Sequence, residues 1–214
     1  MKKDLTELVF ILDKSGSMHG LEKDTIGGFN SLIEKQKKEP GEAIVSTVLF
    51  NNLSYVIHDR IGLDEVMELT YDDYCVGGCT ALLDAVGNAI NHIIQIRRRT
   101  PQDEQPEKTM FIITTDGREN ASVEFTYRKI KEMIEFQKNK FDWEFIFLGA
   151  NIDAAAEAQR MGIHQDNAVS YCCDSHGIDI NYECLDEAIT NIRTKKKLET
   201  TWRLKIDKDF QTRK

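Results

Sequence analysis

Much of what marks a protein's chemistry is scarce in this chain of 214 residues. No apolar run approaches the roughly 18 residues that a membrane-spanning helix needs. Cationic side chains are in the minority: 28 Lys and Arg stand against 36 Asp and Glu, a formal net charge of −8. That balance argues against a general nucleic-acid or anionic-membrane binder, which needs a basic face. Cysteine is present in an odd number, 5, so a complete disulfide framework within one chain is excluded. Cys75 and Cys79 sit in a C-x-x-x-C spacing and Cys172 and Cys173 are adjacent. With no C-x-x-C pair and no matched His spacing, reduced thiols are expected rather than a zinc site. Neither a Gly-x-Gly-x-x-Gly nor a Gly-Lys-Ser loop occurs, which removes the common nucleotide cradles. There is no internal repeat and no low-complexity segment. The opening Met1-Lys2-Lys3-Asp4 runs straight into a strand pattern without a signal-peptide cleavage region, so a cytoplasmic location is expected.

What is present is an alternation of strand and helix patterns. The length suits one well-buried α/β domain and would cramp two. A single domain over 1–200 is expected, followed by a charged C-terminal extension, 201–214, whose apolar residues are Trp202, Leu204 and Ile206. The run Leu8-Val9-Phe10-Ile11-Leu12, apolar without alternation and closed by a turn signal, reads as a strand buried on both faces. Helical spacing follows over 21–39, with Ile26, Phe29 and Ile33 on one face. Gly27-Gly28 lowers helix propensity there and is expected to permit close approach to the sheet. Strands at 42–50 and 53–58 flank Asn51-Asn52, and so short a turn demands antiparallel pairing at a sheet edge. Further strands are expected at 110–115, 143–148 and 167–171. Helices are expected from Thr80 to Arg99 and over 126–140, 154–161 and 182–198. Arg97 to Arg99 and the lysines at 195–197 fall at helix C-termini, where the dipole favours cations. The pattern predicts an α/β fold: a doubly wound, mostly parallel central sheet with one antiparallel edge strand and helices on both faces.

Three loops at strand or helix ends carry the chemistry. Asp13-Lys14-Ser15-Gly16-Ser17 follows the first strand, so a carboxylate and two hydroxyls leave the carboxyl end of a central strand together, where open α/β sheets place ligands. Hard oxygens with little negative charge suit a Mg²⁺ ion that keeps part of its water shell. Gly77-Gly78-Cys79-Thr80 places Thr80 just before a helix, and Thr114-Thr115-Asp116-Gly117 places Asp116 after another buried strand. Taken singly, Asp13 is an Asx-turn or cap residue, Thr80 a helix N-cap and Asp116-Gly117 a common turn.

Together, in this order, the three pieces resemble the metal-ion-dependent adhesion site (MIDAS) of von Willebrand factor A (VWA) domains, in particular stand-alone, bacterial-type cytoplasmic members. The resemblance runs from about residue 5 to about residue 170. It implies a Mg²⁺ or Mn²⁺ ion bound directly by Ser15 and Ser17, directly or through water by Thr80, and mostly through water by Asp13 and Asp116. It also implies an open coordination position that an exposed Asp or Glu of a protein partner fills. On that reading Lys14, His19, Arg118 and Glu119 surround the mouth and contact the partner; the plain alternative is solvated loop residues. Asp84, one turn beyond Thr80, is expected to orient the Thr80 loop or a water, the plain alternative being a surface i,i+4 position. The implied function is a metal-dependent protein-interaction module that is not an enzyme and binds neither nucleic acid nor membrane. Two alternatives stand beside it. One is an accessory subunit of an ATPase, a chelatase, or a stress-response kinase or phosphatase system. The other is a metal-dependent phosphohydrolase of the haloacid-dehalogenase type, which requires an acid where this chain has Ser15. The short connections, with no inserted recognition helix, keep the matrix ligands of adhesion members from being carried over.

Overall fold

Strand β1 (Lys2–Asp13) is buried from Leu5 to its end. It pairs in parallel with β2 (Glu42–Phe50) on one side and β4 (Pro106–Thr115) on the other. Both edges and both faces are covered, which is why its apolar run does not alternate. The structure, a computed structural model, describes residues 1–194 and 198–213. Its sheet has six strands in the order β3-β2-β1-β4-β5-β6, completed by β3 (Ser54–Gly62), β5 (Glu144–Ala150) and β6 (Ala168–Tyr171). Four pairings are parallel, and β2 with β3 is the antiparallel edge pair. The doubly wound expectation therefore holds.

Successive residues of β1 serve opposite cores. Leu8, Phe10 and Leu12 pack with α1 (Glu22–Gln36) and α5 (Ser175–Arg193), through Phe29, Leu32, Leu185 and Ile189 among others. Val9 and Ile11 pack on the other face with α2 (Leu82–Arg99), α3 (Tyr127–Phe141) and α4 (Ala154–Arg160). A charged side chain interrupts the pattern: Glu7, buried in mid-strand, accepts from Nε of the partly buried Arg60 at 2.6 Å. No helix among the described residues is long and apolar enough to cross a membrane.

Three local departures from expectation have physical causes. Strand β3 continues to Gly62 rather than ending at 58, through register shifts opposite Val45–Val48 and a positive φ of 51° at Arg60. Helix α5 begins at Ser175, not 182, because Asp174 caps it by accepting from Gly177 N at 2.9 Å. It ends at Arg193, and residues 195–197, where its lysines were expected, lie outside the described residues. Gly28 makes its close approach to helix α5 instead of the sheet, since a Cβ there would stand 2.1 Å from the Tyr182 ring. Of the C-terminal extension, residues 201–213 are described, and they pack against the rest of the chain. Helix α6 (Leu204–Thr212) lies against α5 and β6, burying Trp202 and Ile206 while Leu204 stays exposed. Arg203 donates to the carbonyls of Gln165 and Ala168, and Arg213 joins Asp174 to Asp209.

Candidate metal centre

The strand order reverses between β1 and β4, and the loops after these two strands open a crevice at their carboxyl ends. Asp13 ends β1 and Asp116 follows β4, so residues far apart in the chain meet there. The Asp13 carboxylate accepts from Ser15 N at 2.7 Å and from Thr115 Oγ1 at 2.6 Å. Ser15 Oγ lies 3.1 Å from Ser17 Oγ, which donates to Asp116 Oδ1 at 2.6 Å. Gly117 marks the gap between the loops: a Cβ there would lie 3.3 Å from Thr80 Oγ1 and 3.4 Å from Ser17 Oγ. All five residues of the candidate ligand set thus border one crevice.

Thr80 does not cap the helix after it. Helix α2 starts at Leu82, and its first amides go to Glu119 Oε2 (Leu83 N, 2.9 Å) and Ser122 Oγ (Asp84 N, 3.0 Å). Asn120 fixes the Thr80 backbone instead, accepting from Thr80 N at 2.9 Å and donating its own N–H to Thr80 O at 3.0 Å. The Thr80 loop is tied to the first metal loop by Gly16 N donating to Gly78 O and Gly77 N donating to Lys14 O, at 3.0 and 2.9 Å. Gly78 has φ +82°, and a Cβ there would meet Asn52 Oδ1 at 2.2 Å, so the Asn51-Asn52 turn can reach in only because Gly78 has no side chain.

The electrostatics are those of a site lacking a positive charge. Asp13 and Asp116 are 1% and 2% exposed, yet neither forms an ion pair with a Lys, Arg or His among the described residues. Burial pushes Asp13 from its ordinary 3.8 up to about 6, against the hydrogen bonds from Thr115 and Ser15, and the charge of Asp116 adds to the rise. Asp116 is raised chiefly by burial too, partly offset by the bond from Ser17. No group of three or more His, Cys, Asp and Glu among the described residues is arranged to hold a metal. The centre has only two carboxylates and depends on hydroxyls, a donor set that fits a hard cation retaining its own waters. Ser15, Ser17 and Thr80 could supply hydroxyl oxygens to such a cation, with the two carboxylates available to balance its charge.

The four residues expected around the mouth separate into two groups. His19 and Arg118 are exposed, His19 with Nδ1 3.3 Å from Glu22 Oε1. Lys14 is buried, its ammonium 4.0 Å from the centre of the Tyr55 ring and 3.5 Å from Asp73 O. Glu119 is committed inward, accepting from Leu83 N, Ala121 N, Ser122 N and Ser122 Oγ. Asp84 answers it across the same junction by accepting from Val123, Glu124 and Phe125 N, so it holds the segment before α3 and not the Thr80 loop. Sequence reading missed two buried tyrosines, Tyr74 and Tyr171, which donate to the carbonyls of Asp13 and Thr115, the last residues of β1 and β4. Tyr171 carried only a strand signal, and Tyr74 lay in a polar connection without periodicity.

No protein-family model matches the sequence, and no curated protein does. Solved structures do match in fold. Proximal thread matrix protein 1 from the mussel byssus superposes with a TM-score of 0.59 at 14% identity, covering 87% of this chain and 46% of that one. The same protein with a zinc-occupied MIDAS motif gives 0.59 and 14%, over 86% of this chain and 46% of that one. A von Willebrand factor type A protein from Catenulispora acidiphila gives 0.55 and 13%, over 87% and 42%. At these identities the likeness establishes the fold alone. This chain spans just under half the length of the structures it matches.

Proposed function

We propose that this chain, built on the fold of von Willebrand factor type A domains, is a metal-dependent protein-interaction module. Ser15, Ser17 and Thr80 would hold a Mg²⁺ or Mn²⁺ ion, with Asp13 and Asp116 behind them, and an exposed Asp or Glu of a protein partner would complete its coordination. The observation that carries the reading is the pair of buried carboxylates that form no ion pair among the described residues, beside three hydroxyls in one crevice. Both acids are engaged by donors of the chain itself, and the added hydroxyls contribute no charge, so a bound ion keeps its appetite for one more anionic oxygen. Contact with the partner beside the ion then falls to the exposed His19 and Arg118.

A binding role is favoured over catalysis by the state of the groups at hand. The thiol of Cys173, 3.8 Å from Asp116 Oδ2, is pushed up to about 11 by burial and by the Asp116 charge, so it is protonated at neutral pH. Asp13 and Asp116 are held in place by hydrogen bonds rather than poised beside an open nucleophile. The test is a pull-down from host lysate with wild type in Mg²⁺, wild type in EDTA, and Asp116→Ala as bait. A partner retained only by wild type in Mg²⁺ is the expected result. Equal retention by all three baits would refute the metal-completed mechanism.

A further inference from the structure

Away from the crevice, a groove of about 580 Å³ runs between α2 and α3. Its apolar lining comes from Ile94, Met133, Phe136 and Phe141, and Phe136 is 52% exposed. Four cations stand along it, Arg97, Arg98, Lys129 and Lys140, against one acid, Glu132, which is already bonded to Arg128 at 3.0 Å. In a chain with a net charge of −8 this is a local reversal of sign. None of the four cations forms an ion pair among the described residues; Arg97 and Lys140 rest over the aromatic rings, Arg97 5.0 Å from the centre of Phe141 and Lys140 5.2 Å from that of Phe136. Two polar atoms of lining residues, Arg97 Nε and Gln137 Oε1, are buried with no hydrogen-bond partner among the described residues, and Gln137 is only 4% exposed. An apolar floor, cations outside any ion pair among the described residues and unmet polar atoms in one groove describe a surface built to be covered.

We propose that the groove between α2 and α3 docks an amphipathic helix of a protein partner, whose apolar stripe is flanked by Asp and Glu. Two parallel helix ridges offer the channel into which a third helix packs, with apolar anchors at i, i+3 or i+4, and i+7. Acidic flanks meet Arg97, Arg98, Lys129 and Lys140 along the rim, where opposite charge supplies register and association rate more than affinity. Phe136 and Phe141 could stack nucleic-acid bases, but the aliphatic floor at Ile94 and Met133 suits apolar side chains, and a net charge of −8 opposes a polyanion. Arg97 lies about 22 Å along α2 from its start beside Thr80, at 1.5 Å per residue, so the groove and the metal crevice can be occupied together. This site does not depend on the metal reading.

A library of random 16-residue peptides, panned against the full chain in EDTA, tests the proposal. Enriched sequences should carry Asp or Glu beside apolar residues at helical spacing. They should bind the Lys129→Glu/Phe136→Ala/Lys140→Glu variant at least tenfold more weakly, and Phe136→Ala alone severalfold more weakly. Lys131→Glu, on the same helix outside the groove, and the replacement of EDTA by Mg²⁺ should leave binding unchanged. Enrichment without acidic flanks or helical spacing, or equal binding by the triple variant, would overturn it. So would tighter binding of a 20-residue oligothymidylate that the triple variant loses, which would assign the groove to nucleic acid.

Discussion

Replacing Asp13 with Asn should make the metal-free protein more stable at neutral pH while abolishing its response to Mg²⁺. The Asp13 carboxyl is raised from 3.8 to about 6 because it is buried beside Asp116 without a cationic side chain. At about 1.4 kcal/mol for each tenfold change in proton affinity, keeping it ionised at pH 7.5 costs up to about 3 kcal/mol in the metal-free fold. Between pH 3.8 and about 6 the folded protein retains a proton that the unfolded chain has released. Stability therefore falls as pH rises through that window and levels off above it. The amide is accommodated by the hydrogen bonds already present. Its oxygen still accepts from Ser15 N, its nitrogen can donate to Thr115 Oγ1, and that hydroxyl can turn wholly to Gly117 O, 3.1 Å away. Thermal unfolding of wild type and Asp13→Asn from pH 5 to 8, with and without Mg²⁺, reads all of this. Wild type should gain about 1.4 kcal/mol when Mg²⁺ is ten times its dissociation constant, and the gain should shrink below pH 6 as protons compete for Asp13. The Asp13→Asn protein should show little gain, a shallower pH slope owing to Asp116 alone, and a higher metal-free stability at pH 7.5. An equal Mg²⁺ response in both proteins, or a variant less stable than wild type without metal at pH 7.5, would refute the reasoning.

Two further expectations concern the frame that holds the crevice. Gly28→Ala should destabilise by about 1–3 kcal/mol in urea titration, despite the usual helix-propensity gain of about 1 kcal/mol, because its Cβ would fall 2.1 Å from Tyr182 Cδ2. Gly27→Ala, with nothing within 4 Å of its Cβ, should stabilise, and two substitutions of the same sign would contradict the packing argument. Arg193→Ala should cost about 2–4 kcal/mol, because the buried guanidinium donates to Gln36 O and Oε1 and to the carbonyls of Glu39 and Gly41, closing the end of α1. A loss under about 1 kcal/mol in the same titration would mean that water replaces it as a donor.

Local pattern was enough for the parts of this protein that depend on local physics. The unbroken run 8–12, the Asn51-Asn52 turn and the spacing of Ile26, Phe29 and Ile33 each fix a dihedral habit within a few residues, and each became the expected element. Asp13, Ser15 and Ser17 could be read as a candidate ligand group because they share one loop at a strand end. Signals failed where two local rules competed: Asp174-Ser175-His176-Gly177 has turn composition, and only the capping bond to Gly177 N shows that it starts α5. Tertiary structure alone decided the rest. Contacts across tens of residues turn Lys14 over Tyr55, draw Glu119 into the start of α2, and aim Tyr74 at the carbonyl of Asp13. The reversal of winding between β1 and β4 brings Asp116 to Ser17, and the pairing of α2 with α3 gathers four cations around an apolar floor. Sequence periodicity says which face of an element is apolar, whereas what that face meets is settled only when the elements pack.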